Sequence, residues 1–371
     1  MIKVCYPFVG DSIGGSHIST LTLVHYINNN YPDIKTEILV FSANDSFKDY
    51  LKSRNIIYSE LGFELKKYSK VSILFEIFKS LRATIKYLKK HEIDIVHTND
   101  LRMNLIFLVA SRFVRTKQVW HQRTSMPKSI LGQKIFLMSD QLILISNYIM
   151  GQLRVNTSLN KISRVYNPIE SYLASKKELS NKVSLFNKDK HVIGFIANMT
   201  LQKKPIFFID LAKYLTRYYP DKFEFHMIGR TNRKIEDSID CYKKSGELDS
   251  SFKVLGFKEN MEEYYRKIDF LIVPADGDGF GRTLLEGMRA GVIVIASNSG
   301  GHKEIIVNKV NGFLIDSLDE KLYYSKINLI SGDLEFFKKI LYNAHSYATS
   351  NYTVDKHAGL IKSIYIDLLE I

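Results

Sequence analysis

Short apolar runs rich in β-branched residues alternate with apolar residues at helical spacing from one end of the chain to the other. In the first half the runs at 2–8, 36–41, 93–97, 118–121, 141–146 and 162–166 read as strands, and in the second half those at 191–197, 223–228, 252–255, 269–274 and 292–296. Strands alternating with helical stretches belong to parallel sheets covered by crossover helices. The pattern predicts an α/β protein of two Rossmann-like, doubly wound domains. The polar stretch from about Glu170 to Lys190 lacks a strong apolar period and is expected to connect them, which places the domains at 1–170 and 191–351 with 171–190 between. Near the end, Leu360, Ile361, Ile364, Tyr365 and Leu368 keep helical spacing, which predicts a helix at about 352–371 able to pack back on the first domain.

The length of 371 residues suits two cores at roughly 150 residues per domain. Hydrophobic residues at 45% and charged residues at 25% exclude a disordered or coiled-coil chain. No export signal or membrane-spanning run is legible, and the two cysteines, Cys5 and Cys241, lack metal-site spacing, so a cytoplasmic location is expected. The net charge of +13 implies an anionic partner. Because nucleic-acid-binding signatures are absent, phosphorylated substrates or an acidic membrane surface are expected in place of nucleic acid.

Doubly wound domains bind ligands beyond the carboxyl ends of their strands. The richest such place follows the run at 269–274, where Gly277, Gly279 and Gly281 interrupt an acidic loop that opens a helix. Glycines let backbone amides approach a ligand, and the helix start adds unpaired N–H groups and partial positive charge, a geometry suited to a diphosphate. Asp278 in the loop and Glu286, eight positions on and one turn into the helix, can accept hydrogen bonds from hydroxyls at different parts of one extended ligand. By itself, such a turn also fits an ordinary strand-to-helix connection whose acids cap the helix.

The stretch Asp278-Gly-Phe-Gly-Arg-Thr-Leu-Leu-Glu286 resembles the Glu-x7-Glu motif of the retaining family 4 glycosyltransferases, which have the GT-B fold of two Rossmann-like domains facing each other across a cleft. Gly291 to Ala296, Gly300-Gly301-His302-Lys303-Glu304 and Asn311-Gly312-Phe313-Leu314 resemble the family's sequel, and Val254-Leu255-Gly256-Phe257 its approach. Weaker likenesses are Gly14-Gly15, His97, His121, Asn167-Pro168 and Lys203. The resemblance implies transfer of a sugar, with retention of configuration, from a nucleotide sugar, in the first instance a UDP-sugar, to a saccharide or lipid-linked acceptor in bacterial polysaccharide or lipopolysaccharide synthesis.

It also implies the roles. Glu286 would bind ribose hydroxyls, and Asp278 with the amides of Gly279, Phe280 and Gly281 would hold the donor sugar. Thr283 and Leu284 would offer amides to the diphosphate, and Lys203 would neutralise the leaving group, with no metal ion or other cofactor needed. Gly14 and Gly15 would contact the diphosphate from the other domain, Gly229 and Phe257 would complete the donor set, and His121 would touch the donor sugar, with His97 as second candidate. Two departures stand out. Asp278 replaces the usual glutamate, and Asn198 occupies the place of an arginine, for which Arg282 or Arg230 is expected to compensate. No nucleophile emerges, so a front-face reaction in which the diphosphate takes the acceptor's proton is implied. Other readings are a GT-B-like nucleotide-sugar epimerase or an inactive nucleotide-sugar-binding protein.

From Leu65 to Lys90 lysines and aromatics are dense. Leu74, Ile77, Phe78, Leu81, Ile85 and Leu88 predict one apolar helical face, with Lys79, Arg82, Lys86, Lys89 and Lys90 around the rest. Such a helix is expected either to cover the sheet or to rest on an anionic membrane at the inner face of the plasma membrane.

Overall fold

The computed structural model describes residues 1–10, 14–41, 45–62, 70–155, 159–170 and 172–370. The chain divides into two compact units, Met1–Pro168 with Thr353–Ile371, and Ile169–Tyr352. The first runs β1 (Ile2–Phe8), α1 (Gly15–Asn30), β2 (Ile34–Val40), α2 (Asp45–Ser53), β3 (Ser59–Glu60), α3 (Lys70–His91), β4 (Ile95–Thr98), α4 (Leu101–Ala110), β5 (Lys117–Gln122), α5 (Ile130–Phe136), β6 (Gln141–Leu144), α6 (Asn147–Met150) and β7 (Ile162–Arg164). The second runs α7 (Lys176–Ser184), β8 (His191–Ile196), α8 (Pro205–Tyr218), β9 (Phe223–Ile228), α9 (Arg233–Lys244), β10 (Phe252–Gly256), α10 (Glu262–Lys267), β11 (Phe270–Val273), α11 (Arg282–Arg289), β12 (Ile293–Ser297), α12 (His302–Ile305), β13 (Phe313–Ile315), α13 (Glu320–Ser331) and α14 (Leu334–Asn351). The chain ends with α15 (Val354–Leu369), which belongs to the first unit.

Both sheets are parallel, with strand orders β3-β2-β1-β4-β5-β6-β7 and β10-β9-β8-β11-β12-β13. In each, the order reverses beside the first strand of the unit, at β1/β4 and at β8/β11. These reversals are the switch points where doubly wound sheets open a crevice for ligand. In the first unit Val4, Tyr6 and Phe8 face one way, into a core shared with α1 and α15 through Leu23, Ile27, Ile361 and Tyr365. Cys5 and Val9 face the other, against Leu88, Ile106 and Phe107 of α3 and α4. In the second unit Ile193, Phe195, Phe225, Phe270, Ile293 and Ile295 share a core with Phe208, Leu211 and Leu215 of α8.

Three sequence expectations need correction. The strand pattern missed β3 and β13, which are two and three residues long and too short to show a period. The segment at 171–190 is more than a polar connection. Ser175 and Glu178 form a capping box that starts α7, and Leu179 is buried in the second unit's core. Phe78 is not on the buried face of α3: it is 81% exposed and Phe75 is 66% exposed, while Ile77, Leu81, Ile85 and Leu88 pack inward. At about 100° per residue Phe78 stands at the edge of this stripe, about 20° round the helix from Ile85, so its exposure is decided by where the helix meets its neighbours and not by its spacing. The part of that expectation on residues 63–69, Leu65 included, lies outside the described residues, and the side chain of Leu74 does too.

Candidate active site

In the second unit β8 and β11 are neighbours, so the turn after the one and the loop after the other lie side by side. Gln202, in the 3-10 turn Leu201–Lys203, joins them twice: its carbonyl accepts from the Asp276 amide at 2.9 Å, and its side chain donates to the Gly277 carbonyl at 2.9 Å. On the other flank Ser299 accepts from the Gly277 amide at 2.9 Å and donates to Asp276 at 3.0 Å, and the Gly301 amide donates to the Asp278 carbonyl at 2.8 Å. Gly300, at φ +61, is required here because a Cβ would lie 2.3 Å from the Asp278 carbonyl oxygen. Gly281, at φ +95, turns the loop into α11 as its N-cap.

These contacts hold the charged groups. The Lys203 ammonium lies 2.6 Å from Asp278 Oδ2, and Nε2 of the buried His302 lies 3.8 Å from the same oxygen. Burial pushes the Asp278 carboxyl up, but His302 and Lys203 more than reverse this and hold it well below the usual carboxylate range. One turn along α11, Glu286 accepts from Arg282 Nε at 2.7 Å through Oε1 and from the Tyr265 hydroxyl at 3.2 Å through Oε2. Burial, reinforced by that carboxylate, pushes the Tyr265 phenol well above its ordinary value, so it stays a donor.

Asp278, Gly281 and Glu286 thus sit on one continuous loop-and-helix arrangement, with Lys203 bonded to the loop and the helix start between the two acids. Such a set offers amides and a cation to phosphates and carboxylates to hydroxyls. Among the described residues no group of three His, Cys, Asp or Glu side chains is placed to hold a metal ion.

Other expected residues have local reasons of their own. The Leu284 amide donates to the Gly281 carbonyl at 3.0 Å and the side chain is fully buried, so the amide expected for the diphosphate is already bonded within the first helical turn. Thr283 is half-buried beside it. Gly229, at φ +136, brings the end of β9 against β8, where a Cβ would meet the Ala197 carbonyl at 1.8 Å. Phe257 is exposed with the Arg230 guanidinium 4.8 Å over its ring. Of the two arginines expected to replace the charge missing at exposed Asn198, Arg230 therefore faces an aromatic ring and Arg282 faces Glu286. Phe280 is buried and meets Tyr352 edge-on, next to the half-buried Gly279. The sequence reading gave no role to Gln202, Tyr265, Ser299 or His302. Only His302 carried a signal, its place after Gly300-Gly301.

In the first unit Gly14 is the extended N-cap of α1, its carbonyl accepting from Ile18, and Gly15 is the first helical residue. His121, on β5, is fully buried, with Nδ1 3.0 Å from His97 Nε2 and 3.4 Å from Arg123 Nη2. Arg123 also donates to Asn99, Asn167 and Thr20, joining β4, β7 and α1 at the carboxyl end of the sheet. Burial, then Arg123, lower the basicity of both histidines well below the ordinary value, so they are neutral near pH 7.

The fold is GT-B, and residues 176–346, which hold the whole loop-and-helix site, match the family model described as glycosyl transferases group 1. Over 99% of the chain and 97% of the relative it is 24% identical to UDP-Gal:alpha-D-GlcNAc-diphosphoundecaprenol alpha-1,3-galactosyltransferase of Escherichia coli. It is 23% identical to the capsular polysaccharide biosynthesis glycosyltransferase CapH of Staphylococcus aureus, over 82% of the chain and 84% of the relative. Among solved structures, Anabaena HepE in complex with UDP and glucose superposes with a TM-score of 0.78 at 19% identity, over 98% of this chain and 99% of that one.

Proposed function

We propose that the protein is a glycosyltransferase that moves a hexosyl unit, with retention of configuration, from a nucleoside diphosphate sugar to a saccharide or lipid-linked acceptor in bacterial cell-surface polysaccharide synthesis. The observation that carries this is the Lys203–Asp278 pair seated on a glycine-rich loop that opens α11 one turn before Glu286. UDP is the first nucleotide to test, because the Escherichia coli relative is named for a UDP-galactose donor and HepE was solved with UDP. The full-length relatives are named transferases, which favours transfer over epimerisation.

In this reading both ion pairs open when the donor binds. Lys203 exchanges the Asp278 carboxylate for a phosphate and neutralises charge that grows on the departing diphosphate, where a fixed cation acts without reorganisation. Asp278, kept ionised, accepts from the donor sugar, Glu286 from the ribose, and Tyr265 holds Glu286 in place. His121 touches the donor sugar. The diphosphate takes the acceptor's proton, so no resident metal or other cofactor is needed. A thermal-shift screen over UDP-sugars tests the reading, since a ligand that binds only the native state raises the melting temperature. Stabilisation by at least one of them in the wild type, lost in Lys203→Ala and Glu286→Ala with unchanged apo melting, is expected. Equal stabilisation in both variants contradicts the assigned site.

A lipid-linked acceptor places the enzyme at a membrane surface. No helix among the described residues is long and apolar enough to cross one. On α3, exposed Phe75 and Phe78 stand among exposed Lys79, Arg82 and Lys86, a pairing of aromatic and cationic groups suited to an anionic bilayer. Sedimentation with anionic vesicles is expected at low salt and not in Phe75→Ser/Phe78→Ser.

A further inference from the structure

Beneath His121 the first unit contains a buried chain of polar groups that runs from β1 through the terminal helix to β4 and β5. The hydroxyls of Tyr6 and Tyr365 are 2.7 Å apart, Tyr365 Oη is 2.5 Å from His97 Nδ1, and His97 Nε2 is 3.0 Å from His121 Nδ1. All four side chains are fully buried. The proton on each link follows from one group that can only donate. Arg123 directs an N–H toward His121 Nδ1 at 3.4 Å, so that nitrogen keeps its lone pair. His97 must then donate to it from Nε2, which leaves His97 Nδ1 as acceptor. Tyr365 has one proton and gives it to His97, and Tyr6 gives its proton to Tyr365. Every donor in the chain is used once, down to a single free N–H at the end: Nε2 of His121, buried and without a hydrogen-bond partner.

We propose that Arg123, His97 and Tyr365 are positioning residues that together fix the tautomer of His121, so that it presents a neutral N–H donor at Nε2 and cannot serve as a base there. His357 supports the arrangement from the same terminal helix. Its Nδ1 donates to the Tyr166 carbonyl at 2.7 Å, and its ring lies 6.1 Å from that of His121 at an angle of 22°. α15 thus holds the two residues that brace the His121 ring, which gives a chemical reason for a chain to return to its first unit after completing the second. A buried donor with no partner in the free protein is poised for an acceptor on a ligand, such as a sugar hydroxyl oxygen. That last step rests on the proposed function, whereas the tautomer does not.

The two are separated by measuring protons and binding independently. In 15N-histidine-labelled protein, with resonances assigned through single histidine substitutions, long-range 1H–15N correlation at pH 7 is expected to show neutral Nε2–H rings for His97 and His121 and a neutral Nδ1–H ring for His357. Tyr365→Phe with Arg123→Met, which removes both donors that set the proton order, is expected to move His97 and His121 out of the Nε2–H form. Tyr6→Phe, which leaves the Tyr365 proton on His97, is expected to preserve it. A wild-type His121 protonated on Nδ1 or on both nitrogens overturns the proposal, and that result is read even if the double variant fails to fold. So does an unchanged His121 in folded Arg123→Met/Tyr365→Phe. In calorimetry with UDP-glucose and with UDP as probes, Arg123→Met/Tyr365→Phe is expected to weaken UDP-glucose roughly three- to tenfold, the scale of one hydrogen bond, and to leave UDP unchanged. Added to His121→Asn, it is expected to weaken UDP-glucose no further. Equal losses for both probes, or additive losses in the triple variant, overturn the positioning role. If wild-type protein binds neither probe, the donor assignment fails and the spectra still decide the tautomer.

Discussion

At the scale of single residues the site of the second unit is built from charges that satisfy one another before a ligand arrives. Asp278 bonds Lys203 at 2.6 Å, and Arg282 bonds Glu286 at 2.7 Å. Half-buried pairs of this kind add little net stability, so their geometry matters more than their energy. A lysine bonded to phosphate makes a charge-assisted contact, and Lys203→Ala is expected to weaken UDP ten- to a hundredfold by calorimetry, about 1.5–3 kcal/mol, with little change in unfolding free energy. Gly300 is the converse case. A methyl at φ +61, 2.3 Å from the Asp278 carbonyl, must displace the loop. Gly300→Ala is expected to cost about 2 kcal/mol in urea unfolding and to weaken UDP as well.

At the scale of elements, α7 shows how a polar sequence becomes a fixed helix. The Ser175 hydroxyl accepts from the Glu178 amide at 3.3 Å, and the Glu178 carboxylate accepts from the Ser175 amide at 2.8 Å and from the Tyr172 hydroxyl at 2.6 Å. The Tyr172 bond, then the Ser175 amide, pull the Glu178 carboxyl down to about 2. Its folded value is depressed, so its contribution is present above the unfolded value of 4.5 and is lost as pH falls toward 2. Ser175→Ala is expected to cost about 1 kcal/mol at pH 7 by urea unfolding. The difference between wild type and Glu178→Gln is expected to shrink from about pH 5 downward.

At the scale of the whole molecule, the first unit keeps three neutral imidazoles in its interior. Burial, then Arg123, depress His97 and His121 well below their ordinary value and bring His357 to about 3. In the unfolded chain each takes a proton near pH 6.5. The unfolded state therefore binds more protons below that pH, and the stability of this unit is full above about 6.5 and falls as the medium acidifies. The slope is up to about 1.4 kcal/mol per pH unit for each histidine. Urea midpoints at pH 7.5 and 5.5 are expected to show the loss, and His357→Gln is expected to reduce the slope by about one proton.

The alternation of strands and helices was determined by sequence alone, because parallel strands buried on both faces need continuous apolar runs. The strands Ile2–Phe8 and Phe223–Ile228 match the sequence reading residue for residue, and the helix Val354–Leu369 falls within the predicted 352–371. So was the place of the glycine-rich loop, because only glycine takes a turn such as that at Gly281 without strain. What lay beyond the sequence is which distant side chains meet. Gln202 against Gly277, Tyr265 against Glu286, and Tyr365 of the last helix against His97 of β4 are set by strand order, and strand order leaves no period in a chain. The inward or outward aim of Phe78 was likewise settled by where α3 lies on its sheet, since helical spacing fixes only the angle between side chains and tertiary packing fixes which angle is buried.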